Sequence, residues 1–386
     1  MHREELSLER QLVLMTAVIV EESQSERLKE IVESEDLNWA EVIYQAITHR
    51  TLNMLYYNLD KYNLFALREP EFKRLCKSQW NVYGQRNKFY LDRLAEIMER
   101  FEKANLVVPI LKGNLLASVV YPAIEARIFN DLDLIMQLSD VNVLTKELEA
   151  LGYIQGEYDE KTNVITEASR KVKILQQMNS HEIQEFLKNS DNEFAKVIEV
   201  DVNHDILWKG NCPYKVDTRD LIKRAIPIEV NGVKAYMLDY IDNIIQLSCH
   251  LYKEATLMIY IDGIKDLKIY KFSDLYMYIK KFYDKIDWEL LVERVKSYNL
   301  DKVVYYNFYY IELMFGEIIP SFVNDALKPD DLTYLDEYAV ESQEPSIWQF
   351  DFFTRLFDVN RMLKVDKKQR EKMEKFIDAK RNKFAD

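Results

Sequence analysis

Asp131-Leu132-Asp133 sits inside an apolar run, Phe129–Met136. Read as a strand, that run has side chains alternating with period two, so both carboxylates share one face. Two like charges that close repel, and the pair makes chemical sense around a divalent cation. A second run, Val197–Asn203, alternates strictly. Ile198, Val200 and Val202 fall on one face, and Glu199, Asp201 and Asn203 on the other. Laid side by side, the two strands would gather Asp131, Asp133 and Asp201. Such a set can hold two Mg²⁺ about 3.5–4 Å apart, clamping the attacking and leaving oxygens of a phosphoryl displacement. Lys112-Gly113 follows another apolar run, Leu106–Leu111, which reads as a short buried strand; Asn114–Val120 then reads as a brief helix ended by Tyr121-Pro122. Gly113 marks the turn, where a phosphate can approach the backbone with helix N–H groups aimed at it. The Lys112 ammonium would neutralise a β- or γ-phosphate; a solvated turn lysine is the plainer reading.

The elements that must position these residues are legible around them. Leu8–Val20 and Glu26–Val32 carry apolar residues at helical spacing. Asp36-Leu37-Asn38 offers a cap before the next helix. Glu69-Pro70 breaks the chain, and a long amphipathic helix with one internal glycine, Gly84, covers 71–104. It reads as a packing element. Val141–Leu151 is amphipathic and stopped by Gly152. His181–Leu187 and Phe194–Val202, parted by Asn189-Ser190-Asp191-Asn192, read as a hairpin, and Val230-Asn231-Gly232-Val233 as a smaller one. From about Asp217 helices return. The layout predicts segments 1–104 (helical), 105–212 (α/β core), 213–320 (helical) and 321–386 (helical tail).

Composition narrows the class. Glycine is scarce, 8 in 386 residues, and neither G-x-x-x-x-G-K-[ST] nor G-x-G-x-x-G occurs. Cys76, Cys212 and Cys249 form no C-x-x-C pair, so zinc ribbons and dithiol redox sites are unsupported, and buried thiols in a reducing compartment are expected. The charged start Met1-His2-Arg3-Glu4-Glu5 lacks a signal-peptide core, and Leu12–Val20 is too short to span a bilayer. The expectation is a soluble cytoplasmic protein. A net charge of −13 argues against long nucleic acid as a partner, because phosphate contacts dominate that affinity. Residues 321–358 hold nine acidic and two basic residues, whereas 359–386 hold ten basic and five acidic. The split reads as a solvated helix beside an acidic surface, or as a docking tail. His181, His204 and His250 read as structural or rim residues, and Asp274 as a helix cap.

The stretch Ile110-Leu111-Lys112-Gly113, Tyr121-Pro122, Arg127 and Asn130-Asp131-Leu132-Asp133-Leu134-Ile135 resembles the uncharacterised nucleotidyltransferase family of the polymerase-β-like superfamily. Leu37-Asn38-Trp39 and Thr48-His49-Arg50 look like that family's N-terminal helices; Met237-Leu238, Leu247-Ser248-Cys249-His250 and Ser273-Asp274-Leu275 look like its C-terminal ones. The resemblance covers roughly residues 10–318. It implies an α+β fold, a polymerase-β-like nucleotidyltransferase core with a mixed sheet and helices, flanked by N- and C-terminal helical domains. By the same resemblance Asp131 and Asp133 are metal ligands and Asp201 the third. Lys112, Gly113 and Asn114 sit where the superfamily has a Gly-Ser phosphate-binding turn, and Arg127 orients the triphosphate or braces the aspartate loop. The sequence departs in two places. The family's histidine and tryptophan after the third carboxylate are Asn203 and His204 here, with Trp208 later, which leaves Glu199 open as the third ligand. Lys-Gly also lacks the hydroxyl of Gly-Ser.

The implied reaction is Mg²⁺- or Mn²⁺-dependent transfer of an NMP from an NTP, with ATP the first candidate, and release of pyrophosphate. The acceptor would be a small molecule, a peptide or a protein side chain. It and the base would bind in a cleft between core and C-terminal helices. The competitors are γ-phosphate transfer and a catalytically degenerate protein that binds a nucleotide or partner on the same fold.

Overall fold

The computed structural model describes residues 3–67, 70–208 and 214–385. Helices α1 (Leu8–Thr16), α2 (Ser25–Glu33), α3 (Trp39–Thr48) and α4 (Leu52–Lys61) open the chain. The expected cap before α3 forms: the Asn38 side chain accepts from the N–H groups of Ala40 and Glu41. Pro70 is the first residue of α5 (Pro70–Lys103), where its missing N–H costs no helical bond; Glu69 lies outside the described residues. Then come α6 (Lys112–Val119), β1 (Leu132–Ile135), α7 (Val141–Ala150), β2 (Ile154–Asp159), β3 (Val164–Glu167), α8 (Arg170–Asn179), β4 (Phe186–Asn192) and β5 (Ala195–Asn203). After α9 (Thr218–Arg224), β6 (Ile226–Val230) and β7 (Val233–Met237) form the small hairpin, with Asn231 and Gly232 at φ 51° and 78° in its turn. Helices α10 (Tyr240–Thr256), α11 (Met258–Asp262), α12 (Ile269–Phe282), α13 (Trp288–Ser297), α14 (Asp301–Phe315) and α15 (Ser321–Leu327) follow. The expected all-helical tail holds a two-stranded ribbon, β8 (Glu337–Tyr338) with β9 (Ser346–Ile347), before α16 (Phe352–Phe357) and α17 (Lys367–Ala385). Pro345 and the left-handed Ser342 (φ 62°) interrupt the helical pattern between those strands. The fold is thus mixed α+β.

The chain divides into two compact units. One comprises Met1–Lys73, Gly210–Tyr214 and Leu247–Asp386; the other comprises Arg74–Lys209 and Lys215–Gln246. The first is helical and rich in buried aromatics, with Tyr278, Tyr310, Phe272 and Phe353 fully enclosed and Tyr310 stacked on Phe352 at 4.0 Å. The second contains the mixed sheet, in the order β1-β5-β4-β2-β3. β1 and β5 run parallel, and β5–β4, β4–β2 and β2–β3 are antiparallel. Its core joins a helical stripe of α5 (Tyr90, Leu91, Leu94, Ile97, Met98 and Phe101) to Leu132 and Leu134 of β1 and to Ile198, Val200 and Val202 of β5. Burying those alternating apolar side chains fixes the register, since a slip of one residue would turn every carboxylate of β1 and β5 into the core.

Leu106–Leu111 is not a strand. Ile110 donates to the carbonyl of Tyr236 at 2.8 Å and Leu111 to that of Asp133 at 2.9 Å, while Ile135 donates to the carbonyl of Pro109 at 3.0 Å. The segment bridges β1 and β7 through isolated contacts. Pro109 has no N–H, so a regular ladder cannot run through it. The expected turn glycine is also displaced: the left-handed residue is Lys112, at φ 50°. Gly113 serves close approach instead. A Cβ there would lie 2.7 Å from Phe129 Cβ. Gly84 plays the same part in α5, where a Cβ would lie 2.7 Å from Glu125 Cγ. Cys76 and Cys249 are buried and not disulfide-bonded, and burial pushes the Cys76 thiol up to about 12. Cys212 and the expected boundary at 212/213 lie outside the described residues. No helix among the described residues is long and apolar enough to cross a membrane.

The two glycines predict different outcomes. Phe129 Cβ is fixed to its backbone, so Gly113→Ala should cost about 1–3 kcal/mol of unfolding free energy, the usual range for overpacking. Glu125 can swing aside, and alanine in a helix interior is about 1 kcal/mol better than glycine, so Gly84→Ala should be close to neutral. Urea denaturation of both variants checks this; equal losses would contradict it.

Candidate active site

The polar face of β5 and the outer end of β1 place acidic side chains together. In the parallel pairing Asp133 lies beside Asp201 and Leu132 beside Val200. Asp131 precedes the first paired residue of β1 by one position. β4 adds to the same face. Leu187 pairs with Glu199 and Phe186 with Val200 across the antiparallel ladder, so Glu185, one step before, falls beside Asp201. Glu185, Glu199 and Asp201 each present a carboxylate oxygen, all within 4.8 Å of one another. Glu182, bridged through its backbone to Asn203, adds its charge to Asp133 and Asp201, and His181 Nε2 sits 3.2 Å from the Glu182 carboxylate. Lys112 reaches in from the start of α6, with Nζ 2.7 Å from Asp133 Oδ1.

The electrostatics follow from crowding and burial. Burial, aided by Asp131 and opposed by Lys112, pushes the Asp133 carboxyl up to about 7. Burial and the hydrogen-bonded Glu185 push Glu199 up to about 8. Burial, then Asp133 and Glu182, hold Asp201 well above the ordinary carboxylate range. Burial alone would lower the Lys112 ammonium; Asp133, Glu182 and Asp131 outweigh it and raise it. Two ionised carboxylates whose oxygens lie within 4.8 Å of each other repel by at least roughly 3 kcal/mol at an effective dielectric near 20. Keeping a glutamic acid protonated at pH 7 costs about 3.7 kcal/mol, from about 1.36 kcal/mol per pKa unit above about 4.3. The two costs are comparable, so the cluster at neutral pH either retains protons or takes a cation. Its donors are all oxygen, which suits a hard divalent ion.

The start of α6 complements the acids. Leu111 supplies no side-chain cap, so the first N–H groups of the helix have no capping partner. Asn114 is fully buried; its Oδ1 accepts from Leu115 N–H at 3.2 Å, and its Nδ2 makes no hydrogen bond. Arg127 is buried, donates to the Ile128 carbonyl, and stands beside Gly113.

The structure therefore groups Asp131, Asp133, Asp201 and Lys112 at one end of the sheet, with Gly113 and Asn114 on the helix that starts at Lys112. Arg127 bonds the backbone of the loop before Asp131. Sequence reasoning missed Glu182 and Glu185, although extending the hairpin register past Phe186 would have put Glu185 on the acidic face. It also missed what α5 does beyond packing. Arg86 donates to the Phe129 carbonyl and to Asn130 Oδ1, and Asn87 Nδ2 donates to the carbonyls of Ile124 and Arg127. No sequence pattern signalled these two residues.

Comparison with known proteins bears on the same segment. The family model for uncharacterised nucleotidyltransferases matches residues 35–316. No curated protein matches the chain. Among solved structures, an antigenic nucleotidyltransferase-like protein from Paracoccidioides brasiliensis is similar at 9% identity and a TM-score of 0.27, with 56% of this chain and 91% of that one covered.

The raised carboxyls set a pH dependence. Unfolded aspartate and glutamate titrate near about 3.9 and 4.3, so between those values and about 8 the folded chain holds protons that the unfolded chain has released. Stability from these groups is full below pH ~4 and is lost as pH rises through about 7 and 8, where Asp133 and Glu199 ionise. In EDTA, Asp201→Asn should therefore raise stability at pH 8 by about 1–2 kcal/mol, near one pKa unit of relieved repulsion, and by much less at pH 5. Urea melts at both pH values decide; equal effects would show that the charges do not interact.

Proposed function

The chain belongs to the uncharacterised nucleotidyltransferase family, and from that premise we propose that it transfers a nucleoside monophosphate from an NTP to an acceptor and releases pyrophosphate. The observation that carries this reading is the parallel register that sets Asp133 beside Asp201, with Lys112 and the uncapped start of α6 next to them. Asp131, Asp133 and Asp201 would hold Mg²⁺ or Mn²⁺. Glu199 and Glu185 supply further oxygens on the same face, so Glu199 is an alternative or additional ligand. When bound, the metal supplies positive charge that offsets the triphosphate and the departing pyrophosphate.

The remaining work falls to the chain's own residues. The N–H groups of Gly113 and Asn114 at the start of α6 would receive phosphate oxygens. Lys112 would exchange its carboxylate partner for a β- or γ-phosphate. Arg127 would keep the preceding loop in place. Burial, Asp133 and Glu182 raise the Asp201 carboxyl, which makes it a stronger base once ionised, and Asp201 on β5 is our candidate to take the acceptor's proton. Catalysis of this kind is positioning and charge neutralisation. ATP is our first candidate NTP, and the acceptor class is a small molecule, peptide or protein side chain. The Lys112–Asp133 ion pair favours one second reading: a nucleotide- or partner-binding protein whose lysine has replaced the metal.

Calorimetric titration of ATP, GTP, CTP and UTP with and without Mg²⁺ tests the proposal. One nucleotide should bind in a metal-dependent way. Asp131→Ala and Asp133→Ala should each weaken that binding at least roughly tenfold while leaving the fold intact, the scale for loss of one charge-assisted contact. Metal-independent binding that survives both substitutions would favour the second reading. Release of ADP instead of pyrophosphate during turnover would replace nucleotidyl transfer with γ-phosphate transfer.

A further inference from the structure

The helical unit contains a cavity of about 410 Å³ among α1, α2 and the C-terminal end of α14. It uses no residue of the acidic sheet face. That volume lies within the roughly 300–1,000 Å³ of pockets that hold small organic ligands. Its apolar lining is Leu14, Met15, Val18, Ile31, Met314 and Phe315. Leu14, Ile31 and Met314 are fully buried, whereas Met15 is half-buried. Two methionines give the wall a shape that adapts to an irregular hydrocarbon.

The rim is of a different character. Arg3 and Arg27 stand there with the neutral Gln11 and Gln24, and Glu4 is the acid among the lining residues. Arg3 is held loosely, and Arg27 by solvent-exposed contacts. Arg3 reaches the Met314 carbonyl at 3.5 Å and Glu4 at 3.6 Å, both long for a hydrogen bond. Arg27 donates to Gln11 Oε1 at 3.1 Å and pairs with Glu30 at 3.1 Å one turn along an exposed helix face, where the paired side chains are 54% and 66% exposed. Such pairs contribute little, so a ligand can displace them. A guanidinium fork matches a carboxylate through two parallel N–H···O bonds.

We infer that this cavity binds a small amphipathic carboxylate, with its hydrocarbon part against the methionine-lined wall and its charged end at Arg3 and Arg27. Each arginine has one weak acidic partner, Glu4 or Glu30, which a ligand carboxylate would displace. The hydrocarbon supplies affinity by leaving water, and the arginines supply the preference for an acid over its uncharged analogue.

Octanoate and octanol are the probes, since they share a chain and differ in charge. The full chain is labelled with ¹³C-methyl methionine, and the signals of Met15 and Met314 are assigned through Met15→Leu and Met314→Leu, swaps that cores tolerate. Octanoate should move both signals saturably, and octanol should need about tenfold more for the same response. An Arg3→Gln/Arg27→Gln double variant with an unchanged melting temperature should lose that preference. Both signals standing still in octanoate would overturn the proposal, as would equal responses to acid and alcohol, or a double variant that keeps the preference.

Discussion

Carboxylates that repel one another are held on the outer face of β1, β5 and β4 by the apolar residues on the opposite face. Each ionised pair at the observed spacing opposes the fold by several kcal/mol. The opposing force is not local. Ile198, Val200 and Val202 alternate with Glu199, Asp201 and Asn203, and they are sealed under α5. Each fully buried side chain of that kind contributes about 1.5–3 kcal/mol. The register cannot slip to relieve the acids without exposing this face. Strand alternation thus turns hydrophobic burial into forced proximity of charge, the condition under which a divalent ion gains most by binding.

The second constraint is on the loop before Asp131, where a short 3-10 turn, Ile124–Ala126, gives way to irregular chain. It is clamped from two sides. On α5, Asn87 binds the carbonyls of Ile124 and Arg127, and Arg86 binds Phe129 and Asn130. On α6, Gly113 lets Phe129 pack against the helix start. These contacts fall within one short stretch of chain, so Asp131 enters β1 from a fixed direction. The long helix is therefore both a lid on the core and the support of the aspartate loop.

Much of this was legible because strands and helices write their periods into sequence. The alternation of Val197–Asn203 gave the acidic face, Asn38 the cap of α3, and Asn231-Gly232 the small hairpin. What stayed hidden depended on tertiary contact. Leu106–Leu111 has a strand's composition, yet Pro109 denies it a ladder. Gly113 suggested a turn residue, whereas its lack of a side chain serves packing and the left-handed conformation falls on Lys112. Arg86 and Asn87 sit on a helix whose pattern reports only its buried stripe. Glu185 was within reach of the hairpin register, but the segment around it is irregular.

Lys112 connects these themes. A non-glycine residue at φ 50° carries a backbone cost of order 1 kcal/mol, and it persists here where the ammonium meets a buried carboxylate. The same ammonium cannot serve Asp133 and a phosphate at full strength. Whatever brings positive charge to Asp133 weakens its hold on Lys112, and whatever brings negative charge to the start of α6 draws the lysine away. The two events favour each other through one shared side chain, as linked binding requires. Substituting Lys112 therefore removes two things at once: a partner for anions and the counter-charge of a buried acid. Its effect on stability without metal must be known before any effect on turnover is assigned to phosphate binding.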